Sequence, residues 1–364
     1  MRMFLTLLAL LSIQLSATDD ATTCKGCHPT IYNEFQESFH KKSSIKEDKV
    51  HAAMWEKHPA KAKGNYKCAK CHTPDNEKHE GMTCISCHSI TSVENHPKSN
   101  KNVYETKART LYSAERGMED KKVIYQEKSS WFGLIKETTG SPYHNIDYTN
   151  EGYYTGKVCM GCHSHKKNSH GFDVCRTDMS GAKDKESNCI TCHMPKIKGS
   201  STSIKKTATH AFHGFAGARN APQILSKYVE LTYKKSDKGF EITVENNTPH
   251  PLMSHPLRVV KLKTTVKRDG KTEELKTHTF IRTLGTNGKA SLPWLATQLI
   301  EDSMLKANEK RALAFETEVK SGDEIEVTLG YIIVNEKAAK SLGLDKEKEP
   351  TKFTVLKSTY FTVK

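Results

Sequence analysis

Ten of the eleven cysteines of this chain fall into five Cys-x-x-Cys pairs, and a histidine follows each pair directly. The five are Cys24-Lys25-Gly26-Cys27-His28, Cys68-Ala69-Lys70-Cys71-His72, Cys84-Ile85-Ser86-Cys87-His88, Cys159-Met160-Gly161-Cys162-His163 and Cys189-Ile190-Thr191-Cys192-His193. A zinc knuckle needs the thiolate pair but no histidine. A disulfide needs no histidine either. A c-type haem uses all three groups: the thiols bond to its vinyl carbons, and the adjacent imidazole ligates the iron from one face. Five copies make the signal specific. They predict five covalently bound haem c groups, with His28, His72, His88, His163 and His193 as proximal iron ligands.

A haem iron takes a second axial ligand. Of the 18 histidines, thirteen lie outside the motifs, and ten of these fall in the motif-bearing part of the chain: His40, His51, His58, His79, His96, His144, His165, His170, His210 and His213. Five would make every haem bis-histidine. The surplus favours low-spin electron transfer.

Around these residues the chain divides in two. The N-terminus carries Arg2, a short apolar run and the small residue Ala17, then polar Thr18-Asp19-Asp20. That is the pattern of a secretory signal peptide, residues 1–17. The run falls short of the ~20 apolar residues of a membrane span. The expected mature protein is soluble, periplasmic and without a membrane span, and haem is attached to c-type cytochromes outside the cytoplasm. Residues 18–220 hold every haem motif and few strand patterns, so a mostly α and irregular multihaem domain with stacked haems is expected there. "HPTIYNEFQESFHKK" and "KVHAAMWEKHPAKAK" read as short helices. "KKVIYQEKSSWFGLIKE" reads as a hairpin or an irregular flap.

From Tyr228 the period switches to two. "YVELTYKK", "FEITVENN", "LRVVKLKTTVKRD", "LKTHTFIRTL", "RALAFETEV", "DEIEVTLGYIIVN" and "KFTVLKSTYFTVK" alternate apolar and polar residues. Asp269-Gly270 and Ser321-Gly322-Asp323 mark turns. Residues 221–364 are therefore expected to form an antiparallel β-sandwich of immunoglobulin-like size, with a small barrel as the alternative. "WLATQLIEDSMLKANEK" is expected as a helix or long loop, and "AAKSLGLDKEKEPT" as a surface insertion.

Only 36% of residues are hydrophobic, and mean hydropathy is −0.65. Haem plates would supply much of the missing interior. The formal charge is +14. Nucleic-acid binding is set aside, because the chain is exported and carries no recognised nucleic-acid motif. Haem propionates account for part of the surplus, since a ferric bis-imidazole haem carries a net charge of about −1. Lysines such as Lys41, Lys42, Lys166 and Lys167 can offset it. The remainder favours acidic redox partners.

The motif order resembles the multihaem superfamily that includes hydroxylamine oxidoreductase, its tetrahaem acceptor cytochrome c-554 and pentahaem cytochrome c nitrite reductase. Four stretches carry the resemblance: "FQESFHKKS" after the first motif, "GMTCISCHSITSVENH" around the third, "SPYHNIDYTNEGYYTGKVCMGCH" before the fourth, and "CHMPKIKG" with "THAFHGF" at the fifth. Carried over position by position, the resemblance implies His40, His96, His144 and His210 as distal ligands. His51 is the fifth, on a segment similar to a ligand-bearing helix. His58 follows closely, and His213 competes with His210. The Cys-x-x-Cys-Lys motif of the nitrite reductases does not occur here.

Two features remain. Cys175 has no partner cysteine, and reads as a buried free thiol ahead of a redox or ligand thiol. The loop "NNTPHPLMSHPLRVV", with His250, Met253 and His255, reads as a rigid inter-strand connection; its functional alternative is a haem contact or an axial ligand. The leading expectation is an electron-transfer protein working between periplasmic respiratory partners. The alternatives are an oxidoreductase acting on a small nitrogen or sulfur oxyanion at one open haem, and a subunit of a cytochrome filament.

Overall fold

The computed structural model describes residues 21–74, 80–107, 109–130 and 135–364. The expected signal peptide and His79 lie outside them. No helix among the described residues is long and apolar enough to cross a membrane.

Apolar side chains alternate with polar ones from Val229 onward, and the chain there is strand after strand. One antiparallel sheet orders Val229–Ser236, Gly239–Asn246 and Lys310–Phe315. A seven-stranded sheet runs through Lys289–Ala290, His278–Thr286, Val259–Arg268, Glu324–Ile332 and Thr354–Thr362. Two further strands, Lys271–Glu274 and Gln298–Asp302, pair with Val259–Arg268 and His278–Thr286. Alternation decides which face is covered: along Val259–Arg268, Val260, Leu262, Thr264 and Val266 are buried. The two sheets share one hydrophobic cluster, in which Ile242, Val244, Leu262, Ile325, Val327 and Leu329 meet. Asp269 and Gly270 take positive φ, 49° and 78°, in the two-residue turn between Arg268 and Lys271. That is the backbone an Asp-Gly hairpin provides.

Each of the seven stretches expected as strands contains one. Two expectations need correction. "WLATQLIEDSMLKANEK" is not a helix or a free loop, because Gln298–Asp302 hydrogen-bonds to His278–Thr286. "AAKSLGLDKEKEPT" holds the helices Glu336–Leu342 and Lys348–Thr351, and Ala339, Leu342 and Leu344 join the core. Its apolar residues are few, but they recur at three- and two-residue spacing on the inward side.

The first part of the chain is built differently. Pro29–Glu37 and Lys49–Lys57 are the two helices expected there. Asp48 caps the second by accepting from Val50 N. Gln126–Ser130 pairs antiparallel with Ile135–Thr139, as a hairpin requires. Strands are more numerous than expected, but each is short: Ile90–Glu94 with Lys101–Tyr104, His165–Lys167 with Asp173–Arg176, and Lys196–Lys198 with Thr209–Ala211. Buried apolar side chains are scarce. Among the described residues only Phe35, Val50, Met82, Ile90, Tyr153 and Ala216 qualify before Val229, against thirty from there on. Conventional packing therefore holds the C-terminal sheets, and far less of it holds the first part.

The two parts touch through specific bonds. Tyr331 Oη donates to Ala218 O at 2.6 Å. Arg219 pairs with Asp48 at 2.7 Å and lies over the Phe39 ring. Asn168 Nδ2 donates to Pro293 O and Ala296 O. At Gly181 a Cβ would stand 2.6 Å from Ala307 Cβ, so only glycine permits this approach.

Candidate haem-binding site

Every motif sits on a short helical turn. Ala69–His72, Ile85–His88, Met160–His163 and Cys189–His193 are helical, and His28 N donates to Cys24 O at 2.9 Å. One turn places residues i, i+3 and i+4 on one face, so both thiols and the imidazole of a motif point the same way. Asn188 starts the last of these turns by accepting from Ile190 N and Thr191 N. In the fourth motif Gly161 lets the Asn102 side chain pack on the turn, since a Cβ there would displace Asn102 Oδ1.

Backbone carbonyls orient the motif histidines. His28 Nδ1 donates to Ser201 O at 2.7 Å, His72 Nδ1 to Ser43 O at 3.1 Å, His88 Nδ1 to Tyr112 O at 2.7 Å and His193 Nδ1 to Ala216 O at 2.5 Å. A carbonyl only accepts, so the proton sits on Nδ1 and the Nε2 lone pair is left for a metal.

Opposite each motif histidine stands a second histidine ring. The ring centres are 6.3 Å apart for His28 and His144, 5.9 Å for His163 and His40, 6.2 Å for His88 and His213, and 6.2 Å for His193 and His250. A metal held about 2 Å from a nitrogen of each of two imidazoles sets their ring centres about 6 Å apart. His213 Nδ1 donates to Ala211 O at 2.7 Å, and His250 Nδ1 to Pro251 O at 3.0 Å, so both keep Nε2 free in the same way. None of these rings is closed off by side chains: His163 is exposed and the other seven are half-buried. This arrangement fits a flat, apolar macrocycle between each pair, anchored through the two thiols.

The fifth pair departs. His51 and His72 are only 4.0 Å apart, and Ser43 O accepts from both Nδ1 atoms. Tyr66 Oη lies 3.2 Å from His51 Nε2, so both nitrogens of His51 are engaged by protein groups. Of the ten paired rings His51 alone is buried.

Loss of hydration lowers His40 to about 3 and His72 and His213 to about 4, with smaller contributions from neighbouring histidines, and keeps these three rings neutral. Neutral imidazole is the metal-binding form. The motifs are also neighbours: thiol contacts join Cys24 to Cys84, Cys71 to Cys162 and Cys159 to Cys189.

Of the expected distal residues, His40, His51 and His144 face a motif histidine. His96 and His210 do not. His96 sits in the turn between Glu94 and Lys101, where its Nδ1 accepts from Lys98 N and its carbonyl accepts from His165 Nε2. His210 is buried against Glu34, with Nε2 2.7 Å from Oε1. His213 and His250 take the places expected for these two. His210 lies in the strand Thr209–Ala211 and His213 beyond it, where the chain turns. His250 lies in the loop whose rigid-connection reading was preferred; the His-Pro pairs were its only signal. His58 stacks on Trp55 and meets Trp294 edge-on instead of facing a motif. Cys175, expected as a buried thiol, is half-buried, and desolvation pushes its pKa up.

No known protein family and no curated protein matches the sequence. Among solved structures, the fold is similar to that of a penta-haem cytochrome c552 from Thermochromatium tepidum, with a TM-score of 0.71 and 20% sequence identity over 94% of this chain and 98% of that one.

Proposed function

We propose that the chain is a multihaem c-type cytochrome, exported to the periplasm, that carries five haems and relays electrons between respiratory partners. The observation that carries this reading is the set of four histidine pairs at 5.9–6.3 Å, each beside a Cys-x-x-Cys pair. Likeness in fold to a penta-haem cytochrome adds to it. In this reading residues 18–220 form the haem-binding unit. His144, His51, His213, His40 and His250 then serve as distal ligands for the motifs in chain order, the last from the C-terminal part. Thiol contacts between motifs favour closely stacked haems, which pass electrons efficiently. Residues 221–364 form a β-sandwich that docks on them and supplies one ligand. The haems carry the redox chemistry; the chain sets spacing, ligands and potential. The basic surface suits acidic redox partners. Haem count by mass and ferric spin state by EPR on one sample test the proposal: five haems per chain, at least four of them low-spin, are expected. Fewer than five haems, or several high-spin ones, would overturn it.

A second reading is favoured at one place. His51 is held by Tyr66 and packed on His72, so the second motif is where a distal position can open to a small nitrogen or sulfur oxyanion. Tyr66→Phe frees His51 Nε2. We expect this substitution to remove any high-spin fraction and to cut carbon monoxide binding by the reduced protein at least several-fold. Unchanged binding would rule out Tyr66 as the competitor for His51.

A further inference from the structure

The pair His40 and His163 differs from the other facing pairs in two ways. Its ring planes are 83° apart, against 31° for His28 with His144 and 18° for both His88 with His213 and His193 with His250. It also lacks the hydrogen bonds that turn the other rings. His88, His193, His213 and His250 each have Nδ1 on a backbone carbonyl. Among the described residues, neither the His40 nor the His163 ring has a hydrogen-bond partner. The backbone of His40 is held, since its carbonyl accepts from Ser43 Oγ at 2.8 Å and Met82 N at 3.1 Å. Its ring depends on packing.

The packing partner is Phe215. Its ring centre lies 4.2 Å from that of His40, with the planes 64° apart. Aromatic pairs usually keep about 4.5–7 Å between centres, so this contact is close. Phe215 also stands 6.2 Å from His213, edge-on at 75°. It reaches this place at φ 55°, a left-handed conformation that a bulky residue rarely adopts. Such strain persists only where the surroundings over-determine it, and it gathers at functional sites. Here the surroundings act from both sides of Phe215. His213 N donates to Glu34 Oε2 at 2.8 Å, Asn220 Nδ2 to Gly214 O at 2.6 Å, and Ala216 N to His193 O at 2.9 Å.

We propose that Phe215 is a positioning residue: it holds the His40 ring across the plane of His163, and so makes the haem of the fourth motif electronically distinct from the others. The proposal rests on the haem reading of that motif. Groups behind a ligating histidine fix its orientation, and here an aromatic edge takes the place of the usual hydrogen bond. A metal held between two imidazole nitrogens lies in both ring planes, so the angle between the planes decides which iron d orbitals the rings meet. Coplanar imidazoles donate into one d orbital and raise it above its partner. Crossed imidazoles raise both alike. The near-degenerate pair gives ferric iron a strongly anisotropic, large-g EPR signal in place of a rhombic one. It also leaves the half-filled orbital lower, which favours the reduced iron. His213 keeps its own bond to Ala211 O, so Phe215 sets the ring plane at one haem and not at two.

The test uses the fully loaded protein and its Phe215→Gly, Phe215→Leu and Phe215→Tyr variants. Haem count is taken by mass, ferric spectra by EPR and midpoints by spectroelectrochemical titration. The parent should show one large-g low-spin signal, which His40→Ala should replace with a high-spin one. Glycine accepts the positive φ without strain, so Phe215→Gly removes the ring and keeps the backbone. This variant should lose the large-g signal, gain a rhombic low-spin signal of equal intensity, and lower one midpoint while four stay in place. Phe215→Leu should do the same, and Phe215→Tyr, which keeps the ring, should retain the parent spectrum. If Phe215→Gly does not load, Phe215→Leu carries the test. Five haems without a large-g signal would overturn the proposal. So would a large-g signal that survives His40→Ala, or one that is unchanged in both Phe215→Gly and Phe215→Leu. Fewer than five haems in the parent protein would instead fail the underlying haem reading.

Discussion

Replacing His250 by alanine is expected to turn one low-spin haem into a high-spin one while the haem count stays the same. The ring of His250 stands 6.2 Å from that of His193, with the planes 18° apart. Its position is held from several sides. Its carbonyl accepts from Asn246 Nδ2 and Thr248 Oγ1, its Nδ1 meets Pro251 O, and Leu252 N donates to Leu305 O. Alanine removes the imidazole and leaves this frame intact, so little else should move. EPR should show a new high-spin ferric signal. The reduced variant should bind about one carbon monoxide per chain more than the parent, since an open sixth position binds such ligands. Added imidazole should restore the low-spin form. His96→Ala is the control and should change neither reading, because His96 faces no motif histidine. A low-spin spectrum in His250→Ala would show that this histidine is not an iron ligand.

The second large effect concerns folding. A full-length chain made without haem attachment, with the ten motif cysteines replaced by serine, is expected to keep its C-terminal sheets and lose the order of the first part. Thirty buried apolar side chains hold the region from Val229 to Val363, against six among the described residues before it. On the proposed haem reading the first part takes its apolar interior from bound groups, as metal-dependent domains do. Hydrogen exchange read by mass spectrometry should show strong protection in Val259–Arg268 and Glu324–Ile332, the two central strands of the larger sheet. Segments such as Pro29–Glu37 and Lys49–Lys57 should exchange freely. In the same background Leu262→Ala should lower the stability of the remaining transition by ~2–5 kcal/mol. Uniform protection along the chain would contradict the expectation.

Much of this was legible in the residues themselves. The strands beyond Val229 could be read from alternation because one face of each sheet is buried, and a period of two survives in the sequence. The hairpin turn at Asp269-Gly270 was legible because few residue pairs accept two positive φ angles. The helices Pro29–Glu37 and Lys49–Lys57 followed from apolar spacing, and only the structure showed the Asp48 cap of the second. Gln298–Asp302 was not legible: its strand exists through pairing with His278–Thr286, and nothing local demands it. The short strands among the motifs escaped for the same reason.

The attachment chemistry is a local matter. Two thiols and an imidazole at i, i+3 and i+4 share one helical turn whatever the rest of the chain does, so the sequence by itself determined the ten cysteines and five motif histidines that fit haem. The opposite face of each site is not local. His40 meets His163 across more than a hundred residues, and His250 reaches His193 from a loop between strands. Distance along the chain says nothing about such meetings. His210 was expected ahead of His213, and only the fold turns the first toward Glu34 and the second toward His88. Such meetings arise where distant parts of the chain close on each other, and a sequence carries no record of that closure until it folds.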